Sequence, residues 1–403
     1  MPASRGGDVE PGAYDPAVTS RTTGNRERAD LCPGALNVHE AADGGLLRVR
    51  LPGGTVTGAQ WGALAAAAAD LGDGRLELTS RGNLQIRALP SGAETELAEL
   101  LVAVGLLPSA THERVRNIVA SPLSGIDGRG IDGTDVTGLA AALDHGLCAR
   151  PRLAQLPGRF LFAVDDGRGD VARLGADVTL IAGGGRTLVG PLDVASGDAV
   201  TVALALAEAF LTERVAQGSK AWRIDELAGG PQAVALRALR GLAGVDAHVS
   251  AIPSLPSAPA RPAGVICQPD GRSALTVVAP LGRLTADQAQ LIGAHARPRG
   301  LRVTPWRSVV LPDLPGGAAT AAAAAAAGAG LGIDTDSRWY GLSACTGRPG
   351  CAKALSDVQS DARAAGRWPG RKVHWSGCGR RCGRPYDTEV DVVATAEGYR
   401  TSE

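Results

Sequence analysis

The chain has 403 residues and no formal net charge, with 44% hydrophobic, 20% charged and only 3% aromatic residues. This length exceeds one ordinary hydrophobic core and predicts two or three domains. Zero net charge excludes a global field that would attract nucleic acid or an anionic membrane, and no apolar run is long enough to span a bilayer. Any anion recognition must therefore come from local groups of arginine.

The first thirty residues are polar and lack the apolar stretch of a secretory signal. They predict a disordered N-terminal arm over residues 1–30. A cytoplasmic location follows as an expectation, and thiols stay reduced there. Seven cysteines in such a chain suggest metal binding or catalysis more than disulfides.

Two segments, beginning at Asp43 and Asp270, share one plan. LPGGTVTGAQ aligns without a gap with APLGRLTADQ, and LELTSRGNLQIRAL aligns with LRVTPWRSVVLPDL. In each, a strand ends in a Pro/Gly turn, a threonine followed three residues later by glutamine opens a helix, and a strand pair follows. The pattern predicts a repeat over residues 31–108 and 250–317; the alternative is two unrelated strand–helix–strand units.

Each repeat is followed by a further α/β region. The first, residues 109–249, has predicted strands near Phe160–Val164, Val178–Ile181 and Thr187–Val189 and predicted helices at Val136–His145 and Asp198–Ala216. Ser250–Pro262 is rich in Pro, Ser and Ala and predicts a linker. The last region, residues 318–403, carries the cysteine motifs.

Four cysteines have a regular spacing. Cys345 and Cys351 form C-x5-C, and 26 residues later Cys378 and Cys382 form C-x3-C. Zinc knuckles favour shorter spacings, so zinc is the weaker alternative. A cubane iron–sulfur cluster needs four thiolates on glycine-rich loops, which both motifs offer. Cys32, Cys148 and Cys267 lack such spacing and are predicted to be buried structural cysteines.

These cysteine motifs, with LTSRGNLQIR upstream, resemble the nitrite and sulfite reductase superfamily. The resemblance implies an α+β fold in which two ferredoxin-like half-domains are paired by pseudo-twofold symmetry and joined by two α/β cofactor-binding domains. It also implies a [4Fe–4S] cluster on the four cysteines, with a tetrapyrrole beside it. RADLCPGALNVHEAADGGLLRVRLPGG and the compact length resemble the precorrin-3B synthase family, the oxygen-dependent monooxygenases of aerobic cobalamin biosynthesis.

The resemblance also implies substrate-binding and catalytic residues. A macrocycle with eight carboxylates needs fixed guanidinium groups, because arginine binds carboxylate in a bidentate manner. Outside such a motif each arginine would be read as a solvated surface residue. The positions that match the family are Arg81, Arg116 and Arg159, expected as catalytic and substrate-binding residues, with Arg114 and Asn117 beside Arg116. Asn83 and Gln85 alternate with Arg81 along the strand and are expected on its face as further substrate contacts. Gly183, Gly184 and Gly185 match a family loop that contacts the acid groups, where Arg186 would add a charge, although three glycines alone could form only a turn.

One position departs from the reductases. They carry two cations after Leu-Pro, whereas LPGRFLF keeps Arg159 and has Leu161 in the second place. A leucine can neither donate a proton nor stabilise an oxyanion, which counts against reduction of sulfite or nitrite. Arg380 and Arg381 are a second departure, inside the last motif, where the family often has a small residue.

The resemblance implies that precorrin-3A and O2 are the substrates, that C20 is hydroxylated with closure of a γ-lactone, and that a partner protein donates the electrons. A mononuclear non-haem iron is a further expectation, with His39–Glu40, His112–Glu113 and His374 as candidate ligands that could equally be ordinary polar residues. GRGIDG at residues 128–133 is read as a loop and not as an NADH site. The alternatives are a sirohaem-dependent reductase and a non-catalytic iron–sulfur or tetrapyrrole-binding protein.

Overall fold

The computed structural model describes residues 32–250, 261–366 and 368–403. The predicted N-terminal arm and most of the predicted linker lie outside the described residues. The strands are β1 (His39–Ala41), β2 (Gly44–Val49), β3 (Thr55–Val56), β4 (Arg75–Leu78), β5 (Leu84–Leu89), β6 (Ile118–Ala120), β7 (Phe162–Asp165), β8 (Val178–Gly183), β9 (Arg186–Val189), β10 (Leu192–Ala195), β11 (Ala247–Val249), β12 (Gly264–Cys267), β13 (Ser273–Val278), β14 (Arg283–Thr285), β15 (Leu301–Val303), β16 (Ser308–Leu314), β17 (Leu342–Ala344), β18 (Val373–Ser376), β19 (Val390–Thr395) and β20 (Gly398–Ser402).

The helices alternate with these strands. They are α1 (Gly58–Leu71), α2 (Ala93–Ala103), α3 (Thr137–Cys148), α4 (Ala199–Ala216), α5 (Gly230–Gly241), α6 (Ala286–Gly293), α7 (Ala318–Gly328) and α8 (Val358–Ala364). None of the described helices has the length and apolarity needed to traverse a bilayer.

The two predicted repeats form two five-stranded sheets that exchange a strand. The orders are β1-β2-β5-β4-β14 and β12-β13-β16-β15-β3, so each repeat lends its short strand to the other sheet. Residues of both repeats share one hydrophobic core, and the Trp61 indole of the first donates a 2.7 Å hydrogen bond to the Ala289 carbonyl of the second. This exchange produces the predicted pseudo-twofold pairing.

The repeat extends to individual hydrogen bonds. Both predicted capping boxes are present, at the N-termini of α1 and α6. Gln60 also donates its side-chain amide to the Val104 carbonyl, and Gln288 donates to the Ala329 carbonyl. In both repeats the same glutamine caps the helix and bonds to a distant carbonyl. The prediction of a repeat is therefore confirmed, and the alternative of two unrelated units is wrong.

The second half-domain is longer than predicted. Helix α7 packs on β12 and β13, and its alanines belong to the core shared by the repeats. The half-domain therefore extends through Gly328, and the predicted boundary between residues 317 and 318 is too early. The alanine tract carries no polar pattern that would mark it as the counterpart of α2.

The region between the repeats is an α/β domain whose sheet has the order β11-β10-β9-β8-β7-β6. Helices α3, α4 and α5 bury their apolar residues in one core, where the Phe160 ring lies 5.2 Å from Phe162 and 5.1 Å from Phe210. Helices and strands predicted here begin and end within a few residues of the observed ones. Gly128–Gly133 is a loop ending in a short 3-10 turn, as predicted.

The C-terminal domain is a four-stranded sheet, β17-β18-β19-β20, whose first three strands are parallel. The first cysteine motif begins directly after β17, and the second follows β18. Ala344 pairs with Trp375, so the two strands end at the same level. Because the carboxyl ends of adjacent parallel strands meet at one edge, both cysteine motifs converge there.

Candidate active site

The cysteine motifs lie on two loops that pack against each other. The Cys345 amide donates to the Trp375 carbonyl at 2.9 Å, and the Cys345 sulfur accepts the Gly377 amide at 3.1 Å. A Cβ atom on Gly377 would lie 2.6 Å from the Ala354 Cβ. Glycine is therefore required for the second loop to bring a backbone N–H to a cysteine sulfur of the first.

Each of the four thiols lies within electrostatic reach of at least one other, and Cys382 is within reach of Cys345, Cys351 and Cys378. Burial raises the pKa of Cys345, and the thiols of Cys382 and Cys351 raise it further. Burial also raises the pKa of Cys382, and Cys378 and Cys351 act in the same direction. The two motifs thus form one group of four cysteines.

The donor set of this group fits a cluster, because a cubane needs four thiolates on loops that leave backbone N–H groups near the sulfurs. Within the described ranges, no three His, Cys, Asp or Glu side chains could hold one metal ion. A tetrahedral zinc site would bring its sulfurs to about 3.8 Å of each other, given a Zn–S bond of about 2.3 Å. A cubane spaces its thiolates more widely because each binds a different iron. The residues present fit a [4Fe–4S] cluster.

Three arginines gather where the first repeat faces the α/β domain. We call Arg48, Arg50 and Arg81 the arginine cluster. Arg50 is only 2% exposed, and its Nη2 donates a long 3.4 Å hydrogen bond to the Pro33 carbonyl. Its buried Nε and Nη1 have no hydrogen-bond partner among the described residues. A buried guanidinium with unused donors is suited to an anionic ligand.

The pKa values show mutual repulsion within this cluster. Burial lowers the pKa of Arg50 well below its usual value, and the charges of Arg48 and Arg81 lower it further. Burial lowers the pKa of Arg81 to about 10, with Arg223 and Arg48 adding to the effect. Binding of carboxylates would relieve this repulsion.

Sequence reasoning identified Arg81 and missed Arg48 and Arg50. The signal was the alternation Arg-Val-Arg at the end of β2, because period two places both arginines on one face of the strand. Cys32 is half-buried near the same cluster, and its charge acts on both Arg50 and Arg81.

Gln85 and Asn83 hold this region in place. Gln85 accepts the Arg48 Nε–H at 2.9 Å and donates to the Glu77 carboxylate at 3.0 Å. Asn83 accepts the Leu51 amide at 2.9 Å. Both predicted residues therefore lie beside the arginine cluster. Gln85 bonds to Arg48, and the buried Asn83 side chain holds the backbone at Leu51.

Asn117 connects this region to the loop that carries Arg159. Its Nδ2 donates to the Gly158 carbonyl at 2.6 Å, and the Asn83 amide donates to its Oδ1 at 3.3 Å. Arg81 reaches the same Gly158 carbonyl at 3.5 Å. The first-repeat turn and the loop after Leu-Pro are thereby held side by side.

Arg159 lies between the arginine cluster and the cysteines, next to Gly158 in the chain and within electrostatic reach of Cys382. Its side chain is exposed, and its guanidinium carbon lies 5.1 Å from the centroid of the Trp222 ring. Its positive charge also acts on the Cys382 thiol, lowering its pKa against the effect of burial. Leu161, two residues later, is 3% exposed and packs with Val119, Ala163 and Val171.

Arg116 has a structural environment. Its Nε and Nη2 donate to the Asp144 carboxylate at 2.8 and 2.7 Å, and its Nη1 donates to the Leu106 carbonyl at 3.0 Å. All three nitrogens of the Arg116 guanidinium thus have partners within the protein, and its action on a substrate stays a prediction. Arg114 is half-buried.

The predicted glycine loop is a hairpin. Gly183 ends β8, Arg186 begins β9, and Gly184 and Gly185 form the two-residue turn with φ of 50° and 86°. The Arg186 guanidinium pairs with Asp193 at 2.9 Å and Asp246 at 3.3 Å. These residues form a turn and a surface ion-pair network, and their contact with a substrate carboxylate stays a prediction.

The candidate iron-ligating histidines do not converge. His39 and Glu40 are exposed on the edge strand β1. His112 bonds to Ser109 and to the Arg150 carbonyl, and Glu113 accepts the Ala35 amide at 2.6 Å. His374 lies between the Ser343 hydroxyl and the Cys382 carbonyl. The described residues thus present no ligand set for the expected mononuclear iron.

The three other cysteines differ from the prediction in part. Cys32 and Cys148 are half-buried, whereas Cys267 is exposed on the edge strand β12. The prediction of a buried residue is wrong for Cys267, because the outer side of an edge strand meets solvent.

A carboxylate loop follows β7 next to Leu161. The Asp165 carboxylate accepts backbone amides of Gly167 and Gly169, each at 2.9 Å, and those of Val171 and Ala172 at 3.0 and 2.9 Å. Burial and the Asp165 charge together raise the pKa of Asp170 to about 7, against the opposing effect of the Ser121 hydrogen bond. The loop therefore holds a titratable carboxyl group at neutral pH.

We expect Asp170→Asn to flatten the pH dependence of stability. The folded-state pKa of Asp170 lies above that of the unfolded chain, so its stabilising protonation is complete below about pH 4 and is lost as the pH rises through 7. Thermal unfolding at pH 5 to 8 should show that the free energy of unfolding of the variant rises relative to that of the wild type, by on the order of 1–3 kcal/mol. The exposed Glu397→Gln should follow the wild type; parallel curves for Asp170→Asn would contradict the assignment.

Comparison with known proteins gives a consistent set of relatives. Residues 39–104 and 266–329 match the nitrite/sulfite reductase ferredoxin-like half domain. A precorrin-3B synthase from Sinorhizobium sp is 28% identical over 393 residues, which cover 92% of this chain and 82% of that protein. A ferredoxin–nitrite reductase from Synechococcus elongatus is 26% identical over 408 residues, covering 86% and 76%.

The fold has a solved counterpart. The structure of Mycobacterium tuberculosis NirA protein matches with a TM-score of 0.73 at 18% sequence identity, covering 89% of this chain and 73% of that chain. At this identity the likeness shows a shared fold. The two half-domain matches coincide with the two strand-exchanged sheets.

Proposed function

We propose that this chain, in which residues 39–104 and 266–329 match the nitrite/sulfite reductase ferredoxin-like half domain, is an oxidoreductase that hydroxylates precorrin-3A with O2. The observation that carries the proposal is the buried guanidinium of Arg50 in the arginine cluster, whose Nε and Nη1 have no hydrogen-bond partner among the described residues. Arg81 of this cluster reaches the Gly158 carbonyl, directly before Arg159, whose charge acts on Cys382. The 28% identity to a precorrin-3B synthase over most of both chains supports this choice of substrate.

The four cysteines would hold the [4Fe–4S] cluster that the superfamily implies. Cys345, Cys351, Cys378 and Cys382 converge, and the Gly377 amide already meets a cysteine sulfur. When bound, the cluster supplies electrons one at a time. The related nitrite reductases are named as ferredoxin-dependent, which supports a protein electron donor here.

The chain's own residues would bind and orient the macrocycle. Arg48, Arg50 and Arg81 offer guanidinium groups to its carboxylates, and Arg50 is best placed to bury one because it is already desolvated. Gln85 and Asn83 keep the cluster in position. Arg159, at the exposed side and near Cys382, would meet the edge of the substrate that lies closest to the electron source.

The reaction requires two electrons and two protons from outside the substrate. One atom of O2 enters at C20 of precorrin-3A, the other leaves as water, and a ring A acetate closes the γ-lactone. Leu161 forms part of an apolar patch beside Arg159 and supplies no proton. An uncharged wall suits a small neutral reactant such as O2, whereas sulfite or nitrite would need a second cation.

The second candidate is a sirohaem-dependent nitrite or sulfite reductase, favoured by the 26% identity to a nitrite reductase. Sirohaem also carries eight carboxylates, so the arginine cluster suits either macrocycle. Anaerobic purification followed by iron, sulfide and tetrapyrrole analysis separates the two. Stoichiometric sirohaem would overturn the oxygenase proposal, and a loaded cluster without oxygen uptake on precorrin-3A would favour a non-catalytic carrier.

Isotope labelling tests the reaction itself. With 18O2 and precorrin-3A, the product is expected to gain one labelled oxygen, and the water to gain the other. Product labelled from H2 18O instead would show that the hydroxyl oxygen comes from water, which contradicts a monooxygenase.

Replacing Leu161 by lysine is expected to bring no gain in oxygenase turnover and to lower the thermal midpoint. An ammonium group in this apolar patch would be desolvated without a partner, at a cost of roughly several kcal/mol. Leu161→Met preserves volume and should cost under about 1.5 kcal/mol. Higher oxygenase turnover in Leu161→Lys would refute the role assigned to the apolar wall.

A further inference from the structure

We propose that Arg307 is a positioning residue for electron transfer: its buried charge raises the reduction potential of the cluster held by the four cysteines. The inference rests on the proposed cluster and not on the identity of the substrate. It assigns a function to the second-repeat turn, which the proposed reaction does not otherwise use.

The turn that carries Arg307 repeats the turn that carries Arg81. In the first repeat the Gly82 amide donates to the Thr79 carbonyl at 3.2 Å; in the second the Arg307 amide donates to the Thr304 carbonyl at 3.2 Å. Gly82 and Arg307 thus occupy equivalent positions, with φ of 65° and 59°.

Only the second copy places a side chain at this left-handed position. A non-glycine residue there costs roughly 1–2 kcal/mol, which the first copy avoids with glycine. Such a cost persists only where the surrounding structure requires it, and residues of this kind concentrate at functional sites.

The surroundings of Arg307 direct its side chain toward the cysteines. The chain passes over Gly282, where a Cβ atom would lie 2.3 Å from the Arg307 Cδ. Its Nη2 then donates to the Gly383 carbonyl, in the residue directly after Cys382. The whole side chain is 6% exposed. The Arg307 side chain is therefore held between Gly282 and the second cysteine loop.

The charge of Arg307 is felt by groups around the cysteines. Burial is the main cause that lowers the pKa of Arg307 to about 10, with the charge of Arg261 acting in the same direction. Glu77, Asp387 and the Cys345 thiol act in the opposite direction. Burial lowers the pKa of His374 to about 3, and Arg307 adds to that decrease. The cation thus lies within electrostatic reach of a cysteine ligand and of a neutral histidine beside Cys382.

A second arginine provides an internal comparison. Arg87 donates to the Gly350 carbonyl at 2.9 Å, directly before Cys351, so it also contacts a cysteine loop. Its charge is compensated by Asp43, whose carboxylate lies 2.9 Å away. In the described part of the chain no carboxylate forms an ion pair with Arg307 within 4.0 Å. Arg307 therefore lacks the direct ion pair that Arg87 has, and the carboxylates of Glu77 and Asp387 act on it only from a greater distance.

A fixed cation acts on reduction through simple electrostatics. Reduction of the cluster adds one electron and one negative charge, and no bond forms or breaks. A nearby buried cation stabilises the additional charge, and low local polarity strengthens that interaction. Removing the cation should therefore lower the potential, and an arginine whose charge is already neutralised should matter less.

The experiment is a redox titration of the loaded protein with dithionite and mediator dyes, followed by electron paramagnetic resonance. At the midpoint potential of the wild type, the ratio of reduced to oxidised cluster is expected to be at least tenfold lower in Arg307→Gln. A tenfold change corresponds to a decrease of 59 mV in the reduction potential for one electron. In Arg307→Lys this ratio should stay within threefold of the wild type. The charge-neutral double variant Asp43→Asn/Arg87→Gln should also stay within threefold.

Several outcomes would overturn the inference. The first is a ratio of reduced to oxidised cluster in Arg307→Gln that stays within threefold of the wild type. The second is a decrease of this ratio in Arg307→Lys as large as in Arg307→Gln. The third is an equally large decrease in the Asp43→Asn/Arg87→Gln double variant. If Arg307→Gln does not retain its cluster, Gly282→Ala displaces the same side chain and should shift the ratio in the same direction; loss of the cluster there too would make Arg307 a structural clamp. Wild-type iron and sulfide analysis comes first, because an absent cluster would refute the proposed function and not this role alone.

Discussion

Replacing Cys351 by serine is expected to abolish assembly of the cubane cluster. Cys351 lies on the first cysteine loop, where its amide donates to the Gly347 carbonyl at 2.9 Å and its thiol interacts with those of Cys345 and Cys382. A serine hydroxyl is a poor substitute for a thiolate, so three ligands would remain for four irons. Iron, acid-labile sulfide and the visible absorption of anaerobically purified protein measure the effect.

Cys267→Ser is the matched control for this experiment. It makes the same chemical change at an exposed cysteine on the edge strand β12, outside the group of four. Its iron and sulfide content should equal that of the wild type. Equal loss in both variants, or one zinc per wild-type chain in place of four irons, would contradict the cluster assignment.

Replacing Arg50 by methionine is expected to weaken macrocycle binding and to stabilise the ligand-free protein. Loss of charge-assisted hydrogen bonds to one carboxylate should cost about 2–3 kcal/mol, or roughly 30- to 150-fold in dissociation constant. Removing a buried cation whose Nε and Nη1 have no partner should raise the thermal midpoint. Titration with an octacarboxylate porphyrin such as uroporphyrin measures the first effect, and a thermal scan measures the second.

The opposite signs of these two effects are the diagnostic feature. A purely structural arginine would lose stability on replacement, whereas a ligand-binding arginine held without a partner would gain it. Arg186→Met is the control, because its guanidinium already pairs with Asp193 and Asp246. Binding of uroporphyrin by Arg50→Met as tightly as by the wild type would refute the assignment of the arginine cluster.

Arg116 illustrates what a motif leaves open. The family resemblance pointed to the arginine before Asn117, yet its guanidinium binds Asp144 on α3, 28 residues further along the chain. Arg50 was not singled out, although its side chain is buried with unused donors in the same region. Which arginine faces a ligand depends on which carboxylates the fold brings beside it, and neighbours in the sequence do not reveal that.

The sequence by itself determined the duplicated half-domains, the helix caps and the pairing of the two cysteine motifs, because local periodicity, capping and spacing report short-range geometry. Only the tertiary structure decided that β3 and β14 exchange sheets, that α7 belongs to the second half-domain, and that Gly183–Gly185 is a hairpin turn. It also decided the environments of Arg50 and Arg307. Burial and charge compensation arise from contacts between residues far apart in the chain, so they appear only when the chain is folded.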